Sequence, residues 1–313
     1  MKNNPFLHSD TNKRYYTFDC YTKRKYGRKC AKLPVDIGCS CPNIDGSKGY
    51  GGCIYCSKRG AGDFAIGAGL SVTKQLDAAA SLISSKWKNV GYIPYFQAHT
   101  NTYAEPSYLK EKYYEAAEYD GAVAVSVATR ADCLSDEILS VLSELAKKTD
   151  VTVELGLQTC SDDTARLINR CMTTAEFENG FKALEKTGVM RCIHIINGLP
   201  GEDFLQMEKT AKYAASLKPD MVKIHMLYIT ADTVAADMYE KGKFRLLDRD
   251  EYVTITAKQL TLLPPDTVIG RLTGDAPLDE LIAPEWTRKK VCVLNEIDKY
   301  MAKYDLWQGK EYR

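Results

Sequence analysis

Three cysteines carry the densest chemistry in the chain: Cys41, Cys53 and Cys56, the last two forming a Cys-x-x-Cys pair. Gly46, Gly49, Gly51 and Gly52 lie between the first two and let the backbone wrap soft sulfur donors around a small inorganic centre. A cubane iron–sulfur cluster takes four ligands, so three thiolates leave one iron for a ligand that is not protein. A second reading recruits Cys39: with Cys41, Cys53 and Cys56 it supplies four thiols for a tetrahedral zinc site, although zinc hairpins ordinarily space both pairs by about two to four residues. A third reading leaves the thiols free.

Chemistry of this kind needs a scaffold that gathers loops from distant parts of the chain. Apolar runs recur at 90–98, 122–128, 151–157, 190–196 and 221–229, each followed by a segment with apolar residues at helical spacing. Residues 33–37, ahead of the cysteines, supply a first strand, so the pattern reads as six βα units. Ser135, Ser161 and Thr174 mark helix starts. Runs buried on both faces and joined by helices mean a parallel sheet, either open and doubly wound or a barrel, and both gather function at the carboxyl ends of the strands. Polar residues cluster at those ends: Gln97 to Tyr103 after the second strand, Thr129, Arg130 and Asp132 after the third, Gln158 and Thr159 after the fourth, and Asn197, Gly198, Leu199, Pro200 and Gly201 after the fifth. Gly49, Gly51 and Gly52 precede cysteines rather than a helix, which speaks against a dinucleotide-binding turn.

The 313 residues are 45% hydrophobic and 27% charged, with a net charge of +1 that names no partner. Eleven cysteines, an odd number, without an apolar leader run, argue for a reducing cytoplasm and against a disulfide framework. No stretch has the roughly 18 apolar residues a membrane span needs. Between Lys13 and Lys32 the chain is locally basic, with Lys23, Arg24 and Lys25 at its centre and Tyr15, Tyr16, Tyr21 and Tyr26 interleaved. Cations that meet phosphates and rings that stack on bases make this the composition of an RNA-contacting arm. The alternative is a solvated extension whose tyrosines pack on the barrel.

Six ordered segments together resemble the radical S-adenosylmethionine (SAM) superfamily, and within it the bacterial YhcC/YtqA-type branch, similar in its core to the catalytic subunit of the elongator complex. They are the cysteine loop, Phe-Gln-Ala-x-Thr-Asn-Thr-Tyr-Ala at 96–104, Ala-Thr-Arg-x-Asp-Cys-Leu at 128–134, Glu-Leu-Gly-Leu-Gln-Thr at 154–159, Gly-Leu-Pro-Gly-Glu at 198–202 and Leu-Trp-Gln-Gly-Lys at 306–310. The resemblance implies a 4Fe–4S cluster on Cys41, Cys53 and Cys56, with SAM chelating the open iron. One-electron cleavage of the sulfonium then yields a 5′-deoxyadenosyl radical able to take hydrogen from an unactivated C–H bond. It implies that Tyr55 flanks the adenine, that Gln97, Thr100, Asn101 and Thr102 stand where the SAM amino group is met, and that Gln158 meets the ribose. It implies Arg170 at the carboxylate, where a guanidinium fork is suited, and the turn Asn197, Gly198, Leu199 and Pro200 at the adenine edge. Arg130, His225, Tyr228 and Arg271 are candidate substrate contacts, with Lys23, Arg24 and Lys25 from the arm. Relatives carry Gly-His where this chain has Cys171-Met172, and His where it has Gly270.

These readings predict a partial (β/α)6 TIM-like barrel over 33–235, a basic arm over 1–32, and a C-terminal extension over 236–313 that closes the barrel and covers substrate. The extension is too short for an acetyltransferase domain of the kind elongator relatives carry. The expected partners are tRNA and a one-electron donor such as flavodoxin or ferredoxin. The sharpest expectation is conversion of carboxymethylaminomethyl to aminomethyl at C5 of the wobble uridine. Two rivals are a radical SAM enzyme for a small molecule or protein, and a zinc-stabilised RNA-binding protein without activity.

Overall fold

The computed structural model describes residues 6, 8, 9, 11–60, 62 and 65–313. Strands and helices alternate: β1 (Cys30–Val35), α2 (Val72–Ser84), β2 (Gly91–Phe96), α3 (Pro106–Ala117), β3 (Ala124–Thr129), α4 (Asp136–Ala146), β4 (Asp150–Gln158), β5 (Met190–Asn197), α7 (Phe204–Ser216) and β6 (Met221–Met226). The short helices α5 (Asp162–Leu167) and α6 (Thr174–Ala183) both lie between β4 and β5, and α1 (Phe18–Tyr26) precedes β1. Beyond β6 come β7 (Ile229–Thr230), α8 (Val234–Glu240), α9 (Arg249–Leu262), β8 (Val268–Arg271), β9 (Leu281–Ala283) and α10 (Lys290–Lys303).

Seven strands pair in parallel in the order β1-β2-β3-β4-β5-β6-β8, a curled half-barrel. The sequence reading counts six, because β8 lacks the signal it uses: four residues, one of them Gly270, leading into the polar stretch Arg271 to Asp275. At Gly270 a Cβ would meet Met221 Sδ at 2.8 Å, so a larger residue there would have to displace the Met221 side chain on β6. The first strand also starts earlier than the apolar run suggests, at Cys30.

Helices cover the outer face of the sheet, and the core between the layers includes Leu142 and Leu145 of α4, Phe177 and Phe181 of α6, and Tyr252 and Leu260 of α9, each at most 1% exposed. Fully burying one such side chain contributes on the order of 1.5–3 kcal/mol. Local signals set the helix starts: Ser135 Oγ accepts from Ile138 N, Ser161 Oγ from Thr164 N, and Thr173, one residue ahead of the expected Thr174, forms a capping box with Glu176.

The basic segment is not an extended arm. Thr17 caps α1, which lies across the amino ends of the strands. Phe18 and Tyr26 pack on Cys30, Ile93 and Ala124, while Tyr16, Phe18 and Tyr21 pack on Cys192, Met221 and Val268. Tyr26 Oη donates to Asp150 at 3.0 Å, and Ile269 N donates to Tyr16 O, which attaches the segment to β8. Gln308 clasps both ends: its Oε1 accepts from Tyr16 N at 2.8 Å, its backbone N–H donates to Arg14 O, and its Nε2 donates to Pro264 O and Thr267 O. Among the described residues no helix is long and apolar enough to cross a membrane.

Candidate functional site

Parallel strands deliver their following loops to one end of the barrel, and the cysteine loop leaves β1 at that end. Its shape is held from outside. Asn169, at φ +52°, donates from Nδ2 to Tyr50 O (3.0 Å) and Gly52 O (2.7 Å); Asn43 Nδ2 donates back to Asn169 O, and Ile54 N to Ile168 O at 3.1 Å. At Gly49 a Cβ would lie 2.4 Å from Asn43 Oδ1 and 2.7 Å from Cys171 Sγ, so the loop closes only with glycine there. Cys41, Cys53 and Cys56 are all half-buried. The Cys56 thiol hydrogen-bonds Cys53 and, against the effect of burial, brings the Cys53 thiol down to about 6, with the Arg130 charge acting in the same direction. Arg130 is fixed beside them by a two-pronged pair with Asp132 (2.9 and 2.8 Å) and by donating to Arg170 O and Cys171 O.

This donor set fits a thiolate-held cluster: three thiols on one preformed loop, a nearby guanidinium to offset thiolate charge, and cavity space below. The four-thiol zinc arrangement does not form. Cys39 is 5% exposed in the hydrophobic core, where burial pushes its thiol up to about 12. Among the described residues these cysteines do not draw close enough together to share one ion.

Below the loop a cavity descends into the barrel from Tyr55 and Cys56, past Gln97, Gln158, His225 and Tyr228, to Lys223 and Arg271. Gln158 lines this cavity at φ +64° with its Oε1 buried and without a hydrogen-bond partner. The other expected cofactor contacts are more occupied. Thr102 Oγ1 donates to Cys133 O and meets Thr129 Oγ1 at 2.5 Å; Asn101 Nδ2 donates to Ala128 O, leaving its Oδ1 unpartnered; Thr100 N donates to Ser40 O. Arg170 is 2% exposed, with Nε donating to Met172 O and Nη1 to Thr159 O and Leu157 O. Its Nη2 makes no hydrogen bond and faces Asp162 Oδ1 at 3.7 Å, so a two-pronged grip on a further carboxylate is not available in this arrangement. Asn197 is locked by a reciprocal amide pair with Gln259 at 2.8 Å, and the turn Gly198, Leu199 and Pro200 follows with Gly198 at φ +84°.

At the floor of the cavity lies a polar and charged layer from which the sequence reading selects His225 but not Glu154, Lys32, Lys223 or Tyr95. Glu154, 1% exposed, accepts from Tyr95 Oη at 2.9 Å and His194 Nε2 at 2.8 Å and pairs with Lys32 and Lys223. Burial and the Lys223 charge hold His194 down to about 4, so it stays neutral and donates to Glu154. His225 lies beside it, the rings tilted 48° to one another with centroids 5.3 Å apart. Polar side chains at alternate positions of otherwise apolar strands, such as Lys223 and His225 in Met-Val-Lys-Ile-His-Met, are the signal that could find the rest of this layer. Lys23, Arg24 and Lys25 are not part of the site: they ride on α1 at the opposite mouth, where Lys23 pairs with Asp19 and Lys25 with Asp150.

Residues 49–214 match the family model of the Radical SAM superfamily and residues 219–303 that of the Radical SAM C-terminal domain. YtqA of Bacillus subtilis is 41% identical over 313 residues, covering all of this chain and 97% of that protein. The tRNA uridine(34) acetyltransferase of Methanocaldococcus jannaschii is 26% identical over 199 residues, 63% of this chain and 36% of that protein. The solved structure of the archaeal Methanocaldococcus infernus Elp3, with its N-terminus (1–46) deleted, has the same fold: TM-score 0.65 at 17% identity, covering 90% of this chain and 65% of that one. The protein belongs to the radical SAM superfamily, on the branch that contains YtqA.

Proposed function

We propose that this enzyme modifies tRNA, converting a carboxymethylaminomethyl group at C5 of the wobble uridine to aminomethyl. The observation that carries the reading is the polar, charged lumen directly beneath the three-thiol loop: a site built for radical chemistry whose floor holds Lys223, His225 and Arg271 rather than an apolar wall. The likeness to a relative named for uridine 34 of tRNA supports the choice of substrate class. The superfamily implies a 4Fe–4S cluster and SAM, which supply, when bound, the means to remove hydrogen from an unactivated C–H bond. Cys41, Cys53 and Cys56 would hold the cluster. Gln158 Oε1 and Asn101 Oδ1, buried without a hydrogen-bond partner, would be available to SAM, and Arg170 Nη2 would have to be shared with Asp162. The lumen's part is to orient the substituent and exclude water. The electron would come from a flavodoxin- or ferredoxin-type donor.

The test is the nucleoside profile of bulk tRNA from a strain lacking the gene. The expected result is accumulation of the carboxymethylaminomethyl nucleoside and loss of its aminomethyl derivatives; an unchanged profile overturns the assignment. In parallel, anaerobically reconstituted, reduced protein should form 5′-deoxyadenosine faster with tRNA from that strain. Formation indifferent to tRNA would turn the assignment toward a small-molecule or protein substrate.

A further inference from the structure

The half-barrel is open between its edge strands, β1 and β8, which do not pair with each other. A second cavity fills this seam, lined by Lys32 of β1, Gly270 and Arg271 of β8, Lys86 just past α2 and Lys290 at the start of α10. It joins the lumen at Lys223, Arg271 and Asp275, which line both.

The charges at this junction do not balance. Lys32 and Lys223 share Glu154, and Arg271 and Lys290 share Asp275, so four cations face two carboxylates. His194 and His225 cannot be counted as a reservoir of either sign, because burial and the neighbouring cations keep both imidazoles neutral. His225 Nε2 is buried there with no hydrogen-bond partner. Of the four cations, Lys223 is 4% exposed, and a cation at that depth gains from a further anion beside it, while Arg271 and Lys290 lie nearer solvent. Arg271 is best placed to receive one: it lines both cavities, it touches Asp275 through Nη1 at 2.7 Å with its side chain 37% exposed, and the rest of its planar fork suits a carboxylate.

We propose that the junction of lumen and seam binds a carboxylate carried by the substrate, with Arg271 as its principal holder and Lys223 and Lys290 flanking it, and that this contact selects an acidic substituent over a neutral one. The inference deepens the wobble-uridine reading and rests on it for the identity of the acid: a carboxymethylaminomethyl arm ends in a carboxylate. Held at the junction, that arm would run back along the lumen toward Tyr55 and Cys56.

The experiment measures binding to the unreduced, cluster-loaded protein, so that no turnover intervenes. Two anticodon stem-loop RNAs are compared, one with the free carboxymethylaminomethyl acid at the wobble position and one with its methyl ester; their phosphates are identical, and only the carboxylate differs. The wild type should bind the acid about 10- to 100-fold more tightly, the range of one or two charge-assisted hydrogen bonds. Arg271→Gln should bind both equally, near the wild-type ester value. Lys290→Gln, on the exposed edge, should lose part of the preference and covers the case in which R271Q misfolds. Equal binding of acid and ester by the wild type overturns the proposal. If neither RNA binds better than a stem-loop with unmodified uridine, the RNA reading has failed instead, and thermal unfolding at fixed ionic strength decides the anion site. A rise in Tm with acetate but not acetamide, lost in R271Q, sustains it; no difference between the two overturns it.

Discussion

Glu154→Gln is the sharpest test of the charged layer inside the barrel. The substitution keeps the shape and an acceptor for Tyr95 Oη, but removes the charge that Lys32 and Lys223 share. Glu154 has no exposed side-chain surface and Lys223 is 4% exposed, so solvent replaces little of the lost charge pairing at Lys223. Leaving a buried cation without its partner costs about 3–5 kcal/mol. In a chain of this size that lowers Tm by about 5–15 °C. The pH dependence carries the signature. Burial holds Lys223 down to about 8, with Glu154 acting in the opposite sense and the charges of Lys32 and Arg271 reinforcing it. Its folded value is below the unfolded one, so the penalty is complete below about 8 and relieved as pH rises toward 10.5. Without Glu154 the ammonium sheds its proton still more readily, and the gap between wild type and variant should be narrower at pH 9 than at pH 7. Adding Lys223→Met to E154Q should restore at least half of the loss. Calorimetry at the two pH values with retained iron content would check this. A loss below about 1 kcal/mol, or one that the second substitution fails to reduce, refutes the reasoning that the layer is a charge-matched buried network.

Three further outcomes follow from the same geometry. Alanine at Cys41, Cys53 or Cys56 should each abolish the visible absorption of the reconstituted protein, while Cys39→Ala, in the hydrophobic core, should keep it and cost about 1–2 kcal/mol of packing, as measured by iron content and unfolding. Neutralising Lys23, Arg24 and Lys25 together should leave the rate at saturating RNA unchanged, because they sit at the far mouth; a fall in that rate would bring α1 into the site. Glu202, in the turn after β5, is pushed up to about 7 by burial, so the folded state prefers its protonated form and stability falls as pH rises from 4.5 through 7. Glu202→Gln should therefore unfold like wild type at pH 5 and be more stable by about 1–3 kcal/mol at pH 8; equal stability at pH 8 would contradict that assignment.

The parts of this fold that were legible in the sequence are those where burial on both faces leaves an uninterrupted apolar signal. The runs at 122–128, 151–157, 190–196 and 221–229 each became a strand of the half-barrel, and the loops after them hold the polar residues expected there. The cysteine loop was legible because thiol spacing is rare enough to carry meaning alone. What escaped has physical reasons. β8 is short and owes its place to packing against β6 and Tyr16 rather than to its own hydrophobicity. The segment around α1 has the composition of a nucleic-acid contact, yet its tyrosines supply apolar area for the strand ends and its lysines reach acids far along the chain, such as Asp298 and Asp150. Composition cannot distinguish a cation meant for phosphate from one paired within the fold. Arg170 and Thr102 were readable as polar residues near a cofactor, but not that backbone carbonyls already claim most of their donors.

The clasp between the two ends of the chain sets an order of events during synthesis. Thr17 pairs with Ile269, Arg14 with Asp305 and Leu306, and Tyr16 with Gln308, contacts that span more than four-fifths of the polypeptide. Helix α1 is made before the strands it covers but acquires its final neighbours only after β8 and Gln308 have been made. Until then Tyr16 and Tyr21 lack the Val268 side of their packing, even where Phe18 and Tyr26 already meet the first three strands. Closure of loops this long makes folding slow and exposes apolar surface to other nascent chains, so translation that stalls before residue 268 should yield a product that depends on chaperones even though most of the barrel is already present.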